Sequence, residues 1–214
     1  MPPKMKSIKS SHIGIINVGI GNIKSIERML LKAGGVPFVI NTPSELTVAH
    51  KVILPGVGHF DAGMNRLKET GFDTSLIDLI NSDQLTVLGI CLGMQLLCTH
   101  SEEGILPGLG LVKAEVKKLT FEQSLNIKVP HMGWNIVKPV DTNLLLPQSS
   151  TTERFYFVHS FKVIPSESCT IIGESDYGGT FCSAFQQGNI FGVQFHPEKS
   201  HRYGLSLMQR FVEL

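Results

Sequence analysis

The chain has 214 residues, of which 42% are hydrophobic, and its formal net charge at pH 7 is +1. This size and composition favour one globular domain with a well-buried core. The near-zero charge argues against a broad electrostatic surface for nucleic acid or an anionic membrane.

The first twelve residues are polar and contain Pro and Lys, so we expect residues 1–12 to be a disordered lead-in and 13–214 to form the domain. The lead-in lacks the apolar core of a secretory signal, and no apolar run approaches the length of a membrane span. None of the four cysteines has a Cys-x-x-Cys or metal-ligand spacing, so no metal site is expected. These features predict a cytoplasmic protein with reduced thiols.

The first half of the chain alternates strands with helices. Strands are predicted over residues 13–18, 36–40, 51–54 and 85–88, and helices over 22–33, 60–70, 73–81 and 94–98. Such alternation is typical of an α/β fold, a parallel sheet with helices on both faces.

The second half is rich in strands, predicted over 111–119, 134–137, 155–158, 169–173, 181–186 and 190–195, with a last helix over 200–212. No internal repeat or linker interrupts it, so one domain is expected.

Cys91 lies where an apolar strand gives way to a helix, between Gly89 and Gly93. Such a sharp turn exposes a nucleophile, and the adjacent helix N-terminus favours negative charge on the sulfur. Glycines two residues before and after the cysteine avoid crowding in the turn. This setting predicts an enzyme with a cysteine nucleophile.

A cysteine nucleophile needs a base and a group that orients the base. His196 and Glu198 follow an apolar strand and, two residues apart in an extended segment, point the same way. A carboxylate bound to one imidazole nitrogen leaves the other free to take the thiol proton. The alternative, a histidine at a strand end beside a solvated glutamate, is weaker once Cys91 is considered.

Attack on an acyl carbon also needs donors for the developing oxyanion. Candidates are the backbone N–H of Leu92 and the glycine loop of Gly56, Val57 and Gly58. An ordinary strand-to-helix turn is the alternative for this loop.

A nucleotide site is disfavoured. Gly19 and Gly21 begin a dinucleotide fingerprint, but Lys24 stands at the third glycine position, and no acidic residue follows at the ribose-binding distance.

The segments Gly-Ile-Cys91-Leu-Gly-Met-Gln95 and Gln-Phe-His196-Pro-Glu198-Lys-Ser resemble the class I glutamine amidotransferases. The segment Pro-His131-Met-Gly-Trp134-Asn135 and the segment Tyr156-Phe-Val-His159-Ser160 look like the glutaminase subunit of imidazole glycerol phosphate synthase. The similarity runs from about residue 13 to the C-terminus. It implies a three-layer, flavodoxin-like sheet with a strand-rich C-terminal half.

The resemblance implies that Cys91 attacks the carboxamide of glutamine, with His196 as base and acid and Glu198 orienting it, without a cofactor. By position it implies that Gly58, Gln95, Glu103 and Ser160 bind the substrate. A separate (β/α)8-barrel cyclase would receive the ammonia and make imidazole glycerol phosphate and an aminoimidazole carboxamide ribonucleotide in histidine biosynthesis. The residues that match its contact are Asn22, Trp134, Tyr156 and Lys199.

The resemblance has gaps. Val18 and Phe161 stand where many relatives carry tyrosine, and Trp134 and Tyr156 could instead be core aromatics. Three other functions stay open: a glutaminase that serves a different synthase, a non-catalytic regulatory subunit, and a cysteine hydrolase of the peptidase or esterase type.

Overall fold

The computed structural model describes residues 12–122, 126–140, 143–148 and 152–214. Eleven of the twelve predicted lead-in residues lie outside these ranges, whereas the twelfth, His12, begins the first strand and pairs with Val36.

Strands and helices alternate up to residue 96, and strands dominate after it. The helices are α1 (Ile23–Lys32), α2 (Phe60–Thr70), α3 (Phe72–Asn81), α4 (Leu92–Leu96) and α5 (His201–Glu213). The strands are β1 (His12–Ile16), β2 (Val36–Ile40), β3 (Lys51–Gly56), β4 (Thr86–Cys91), β5 (His100–Ser101), β6 (Ala114–Lys118), β7 (His131–Pro139), β8 (Glu153–His159), β9 (Phe161–Pro165), β10 (Thr170–Asp176), β11 (Thr180–Gln187) and β12 (Ile190–Val193).

Within the described residues, the main sheet runs in the order β2-β1-β3-β4-β12-β11-β10-β7-β8. The first five strands of this order are parallel, and the remaining neighbours pair antiparallel. Strand β9 pairs with β11 and β6, and β5 pairs with β6. Because β4 and β12 are parallel neighbours, their carboxyl ends bring Cys91 and the segment that follows Val193 to one edge of the sheet.

Each face of the parallel strands has its own apolar core. In β3, Val52 and Leu54 belong to the core under α2, α3 and α4, whereas Ile53 belongs to the core under α1 and α5. Alternate side chains of a strand point to opposite faces, so the continuous apolar run of a β3-type strand requires cover on both sides. The predicted α/β fold with helices on both faces is confirmed.

Several local elements differ from prediction, among them the short strand β5, which was not predicted. Helix α4 ends at Leu96, because the carbonyl oxygens of Leu96 and Leu97 accept N–H groups of Leu109 and Val112 instead of continuing the helix. Strand β9 was not predicted; only Ser160 lies between it and the end of β8 at His159, so no turn signal separates the two.

Candidate active site

The turn at Cys91 is closed by glycines that have no room for a side chain. A β-carbon at Gly93 would collide with the carbonyl oxygen of Leu54, and one at Gly89 would lie 2.8 Å from the carbonyl oxygen of Gly93. Cys91 has φ 54° and ψ −110°, an unusual conformation for a residue with a β-carbon that costs about 1–3 kcal/mol. The strain and the packing hold the sulfur at the carboxyl end of β4, where a strand-to-helix nucleophile belongs.

His196 and Glu198 form the second part of the site. His196 follows β12, and its Nδ1 lies 2.8 Å from Oε1 of Glu198, with both side chains almost fully buried. The Nε2 atom of His196 is buried too, and no atom of the described residues forms a hydrogen bond with it. A carboxylate on Nδ1 fixes that nitrogen as the proton donor, so Nε2 is the free position for a proton from a nucleophile.

The charged form of His196 is favoured. Burial lowers the pKa of His196, but its interactions with Cys91 and Glu198 outweigh burial and raise the pKa to about 9. A base that holds a proton this strongly favours the sulfur–imidazolium ion pair that a cysteine nucleophile requires.

Sequence reasoning missed Gln194, a fully buried residue that contacts the nucleophile. Its Nε2 donates to Sγ of Cys91 at 3.7 Å, and its Oε1 accepts from Nε2 of Gln95 at 3.0 Å. The only sequence signal is its place two residues before His196, and that spacing does not reveal a contact with Cys91. The amide N–H is directed at the sulfur and stabilises negative charge there.

Cys91 and His196 line a cleft of about 290 Å³. The cleft also contains the four predicted substrate residues and the N-terminus of α4, and it is lined by Val57, Gly58, Cys91, Leu92, Gln95, Glu103, Pro130, Val158, His159, Ser160, Phe161 and His196. Its size suits an amino acid. Among the described residues, no cluster of three or more His, Cys, Asp or Glu side chains could hold a metal ion.

Glu103 has a structural partner in addition to its place in the cleft. Its Oε2 accepts the backbone N–H of Phe60 at 2.8 Å, at the first residue of α2. Asp61, in the same turn of α2, accepts the N–H groups of Ile105 and Leu106. These reciprocal bonds hold the Glu103 segment against the start of α2.

In the predicted oxyanion loop, the backbone N–H of Val57 does not point into the cleft. The N–H of Val57 donates to the carbonyl oxygen of Ile20 at 2.6 Å, so in this conformation it does not face a substrate. Gly58 has φ +111°, and no atom lies within 4 Å of the position of an added β-carbon. Gly56 is packed instead, since a β-carbon there would lie 2.8 Å from the N atom of Gly93.

Two of the predicted partner residues, Trp134 and Tyr156, form an aromatic pair on the outer face of β7 and β8, and a third, Lys199, lies beside this pair. Trp134, 40% exposed, meets Tyr156 edge to face at 6.3 Å between centroids, and Lys199 lies 5.7 Å from the Tyr156 ring. Asn22 is exposed at the N-terminus of α1, where its side chain accepts the N–H of Ser25. His201 stacks parallel on Trp134 at 5.5 Å and has φ 48°.

Comparisons with known proteins agree with the fold and show the family of the chain. Residues 14–213 match the family model of glutamine amidotransferase class-I. The imidazole glycerol phosphate synthase subunit HisH 2 of Methanococcus maripaludis is 46% identical over 205 residues, covering 94% of this chain and 98% of that protein. The subunit HisH of Leptospira interrogans is 43% identical, covering 94% and 100%.

Among solved structures, PurLQS from Thermotoga maritima contains a chain that superposes with a TM-score of 0.72 at 16% identity, covering 94% of this chain and 97% of that one. That likeness concerns the fold alone. The chain belongs to the class I glutamine amidotransferases and, within them, to the family of the imidazole glycerol phosphate synthase subunits HisH. The resemblance inferred from the motifs is thereby confirmed.

Proposed function

We propose that residues 13–214 form one domain that hydrolyses glutamine to glutamate and ammonia. The ammonia would pass to a (β/α)8-barrel cyclase subunit that makes imidazole glycerol phosphate and an aminoimidazole carboxamide ribonucleotide in histidine biosynthesis. The observation that carries the chemistry is the buried pair of His196 and Glu198. Nε2 of His196 forms no hydrogen bond with the described residues, and His196 lines the cleft that holds Cys91.

The reaction proceeds through a thioester. Nε2 of His196 takes the proton of Sγ of Cys91, and the sulfur then bonds to the carboxamide carbon of glutamine. His196 then gives this proton to the departing nitrogen, and ammonia leaves as the carbon–nitrogen bond breaks. His196 next removes a proton from water, whose oxygen attacks the thioester and releases glutamate and the thiol. Glu198 orients the imidazole and stabilises its positive charge, and no step needs a cofactor.

The backbone end of glutamine would lie against Gln95, Glu103 and Ser160, which line the same cleft as Cys91. The oxyanion would be held by the N–H of Leu92 and by the loop of Gly56, Val57 and Gly58 once that loop turns an N–H toward the cleft. Because the N–H of Val57 is bonded to Ile20 in the present conformation, hydrolysis by the lone chain would be slow.

The partner would dock on the outer face of β7 and β8. The named relatives are subunits of a synthase. Aromatic side chains with a neighbouring cation are typical anchors of protein interfaces. Here the exposed Trp134 and the half-buried Tyr156 are the aromatics, and Lys199 is the cation. Asn22 would lie at the edge of this contact.

We place the protein in the cytoplasm. Its four cysteines are unpaired and buried, in keeping with a reducing compartment. No helix in the described ranges is long and apolar enough to cross a membrane.

The experiment is the variant Cys91→Ala, assayed together with the barrel cyclase and its nucleotide substrate. Glutamine-dependent product formation should fall to background, whereas formation from added ammonium should be unchanged. Cys169→Ala, which removes a buried thiol outside the cleft, should retain both activities. Loss of both activities in Cys91→Ala would contradict a purely catalytic role, and activity on esters or peptides would favour the hydrolase alternative.

A further inference from the structure

The cleft contains a second histidine, His159, whose two nitrogens are both engaged. Its Nδ1 lies 2.7 Å from the carbonyl oxygen of Phe161, and its Nε2 lies 3.0 Å from Nδ1 of His131. His131 in turn places Nε2 at 3.3 Å from Nδ2 of Asn135. Both histidines are buried among the described residues.

The donor and acceptor of every hydrogen bond in this series, from Phe161 to Asn135, can be assigned by starting at the carbonyl oxygen of Phe161. A carbonyl oxygen only accepts, so Nδ1 of His159 carries a proton. Burial lowers the pKa of His159 to about 3 and the pKa of His131 to about 4, so both rings are neutral near pH 7. Nε2 of His159 is then an acceptor, which requires a proton on Nδ1 of His131 and leaves Nε2 of His131 to accept from Asn135.

Asn135 closes the chain at the other end. Its Nδ2 also donates to the carbonyl oxygen of Asp176 at 2.8 Å, which fixes the orientation of the amide. The ring of His131 is held between Tyr177 and Phe157, with centroid distances of 3.9 and 4.8 Å. Neither imidazole has freedom to rotate without losing a buried hydrogen bond.

His159 therefore offers no proton acceptor to the cleft, although it lines the cleft with His196. Its Nδ1 donates instead to the carbonyl oxygen of Phe161, and this hydrogen bond spans Ser160. Gln95 also donates to this carbonyl, at 3.4 Å. The segment 159–161 is one wall of the cleft, and its shape depends on the chain of hydrogen bonds that ends at β7.

We propose that His159 and His131 are positioning residues, which hold the segment 159–161 in the shape that receives the backbone end of the substrate amino acid. This inference rests on the proposed glutaminase reaction. The imidazoles of His159 and His131 contribute to the affinity for the substrate, and only His196 transfers protons.

The test is the steady-state hydrolysis of glutamine by the chain assembled with the cyclase and its nucleotide. His131→Leu and His159→Leu should each raise the KM for glutamine about ten-fold, with kcat within about three-fold of wild type. His131→Asn and His159→Asn each keep an N–H donor near the Nδ1 position, so their KM should stay within about three-fold of wild type. The ammonia-dependent reaction should be unchanged in all four.

Two outcomes of these assays would overturn the inference: a fall in kcat at unchanged KM, or equal effects of the Leu and Asn variants. A wild-type complex without any glutaminase activity would instead contradict the proposed function itself.

A measurement on the unmutated chain covers the case in which a Leu variant does not fold. Nitrogen-15 spectra of the imidazoles at pH 7 should show protonated Nδ1 and unprotonated Nε2 for both His131 and His159. An Nε2-protonated form of either ring would contradict the assigned chain.

Discussion

Two turns at the carboxyl ends of neighbouring parallel strands differ in how completely they are fixed. The turn after β4, at Cys91, is packed so closely that its two glycines admit no β-carbon without a clash. The turn after β3 is packed at Gly56 but open at Gly58, and Val57 is 48% exposed. Cys91, the proposed nucleophile, is therefore built into the folded core, whereas the proposed oxyanion loop does not turn the N–H of Val57 toward the cleft.

The difference separates two requirements of acyl transfer. Activation of the sulfur needs a precise distance to a base, which buried strand ends supply. Oxyanion stabilisation is lost when one backbone N–H donor is bonded to another acceptor. The N–H of Val57, for example, donates to the carbonyl oxygen of Ile20. If only oxyanion stabilisation is missing in the lone chain, a partner that supplies it can switch on ammonia release without rearranging the folded core.

The largest effect should come from crowding the closed turn. Gly93→Ala places a β-carbon against the Leu54 carbonyl oxygen, and we expect the free energy of unfolding to fall by about 3 kcal/mol or more. Gly58→Ala meets no neighbour, so only its positive φ is costly, at about 1 kcal/mol. Urea unfolding of the two variants measures both values, and equal losses would contradict the contrast between the turns.

The stability of the fold should also depend on pH through His196, which interacts with Cys91 at the closed turn. Because the pKa of His196 is raised to about 9 in the folded chain, its protonation stabilises the fold fully below pH 6.5. That contribution, about 3 kcal/mol, should be lost as the pH rises through 9. Urea unfolding from pH 6 to 10 should show the decline, and Glu198→Gln should flatten it. An unchanged pH dependence in Glu198→Gln would mean that the Glu198 carboxylate does not raise the pKa of His196.

A smaller effect is expected at Gln194, whose amide donates to the sulfur of Cys91. Gln194→Leu removes a donor worth about 1 kcal/mol, so alkylation of Cys91 by iodoacetamide at pH 7 should slow about five-fold. Gln187→Leu, on the neighbouring strand β11 and away from the cleft, should alkylate at the wild-type rate. Faster alkylation of Gln194→Leu would mean that the amide shields the sulfur and does not activate it.

The smallest effect should come from the partner face. His201→Asn keeps a residue that tolerates φ 48° but removes the ring that stacks on Trp134, so the affinity for the cyclase should weaken about three-fold. In a titration of the chain with the cyclase, activation of glutamine hydrolysis should need more partner but reach the same maximum. A lowered maximum would place His201 in the activation step itself.

The parts of the site that sequence could predict are local. The glycines around Cys91, and the two-residue spacing of His196 and Glu198, are consequences of chain geometry within a few residues. Gln194 could not be assigned a role, because its contact with Cys91 joins residues 103 positions apart and depends on the parallel pairing of β4 with β12.

The strand-rich half was harder to divide for a similar reason. Strand β9 begins where β8 ends, and its existence depends on pairing with β6 and β11 rather than on its own pattern. The early end of α4 likewise depends on Leu109 and Val112, which take the carbonyl oxygens that a longer helix would have used. The neutral chain of His159 and His131 was invisible in sequence, since a histidine pattern carries no information on which nitrogen holds the proton.

The most direct test of the contrast between the turns is the rate of glutamine hydrolysis by the lone chain, compared with the chain saturated with cyclase and nucleotide. If only the N–H of Val57 in the proposed oxyanion loop must turn toward the cleft, the complex should be faster by about a hundred-fold or more, the size of the effect of one oxyanion donor. A lone chain that hydrolyses glutamine at the rate of the complex would contradict the account.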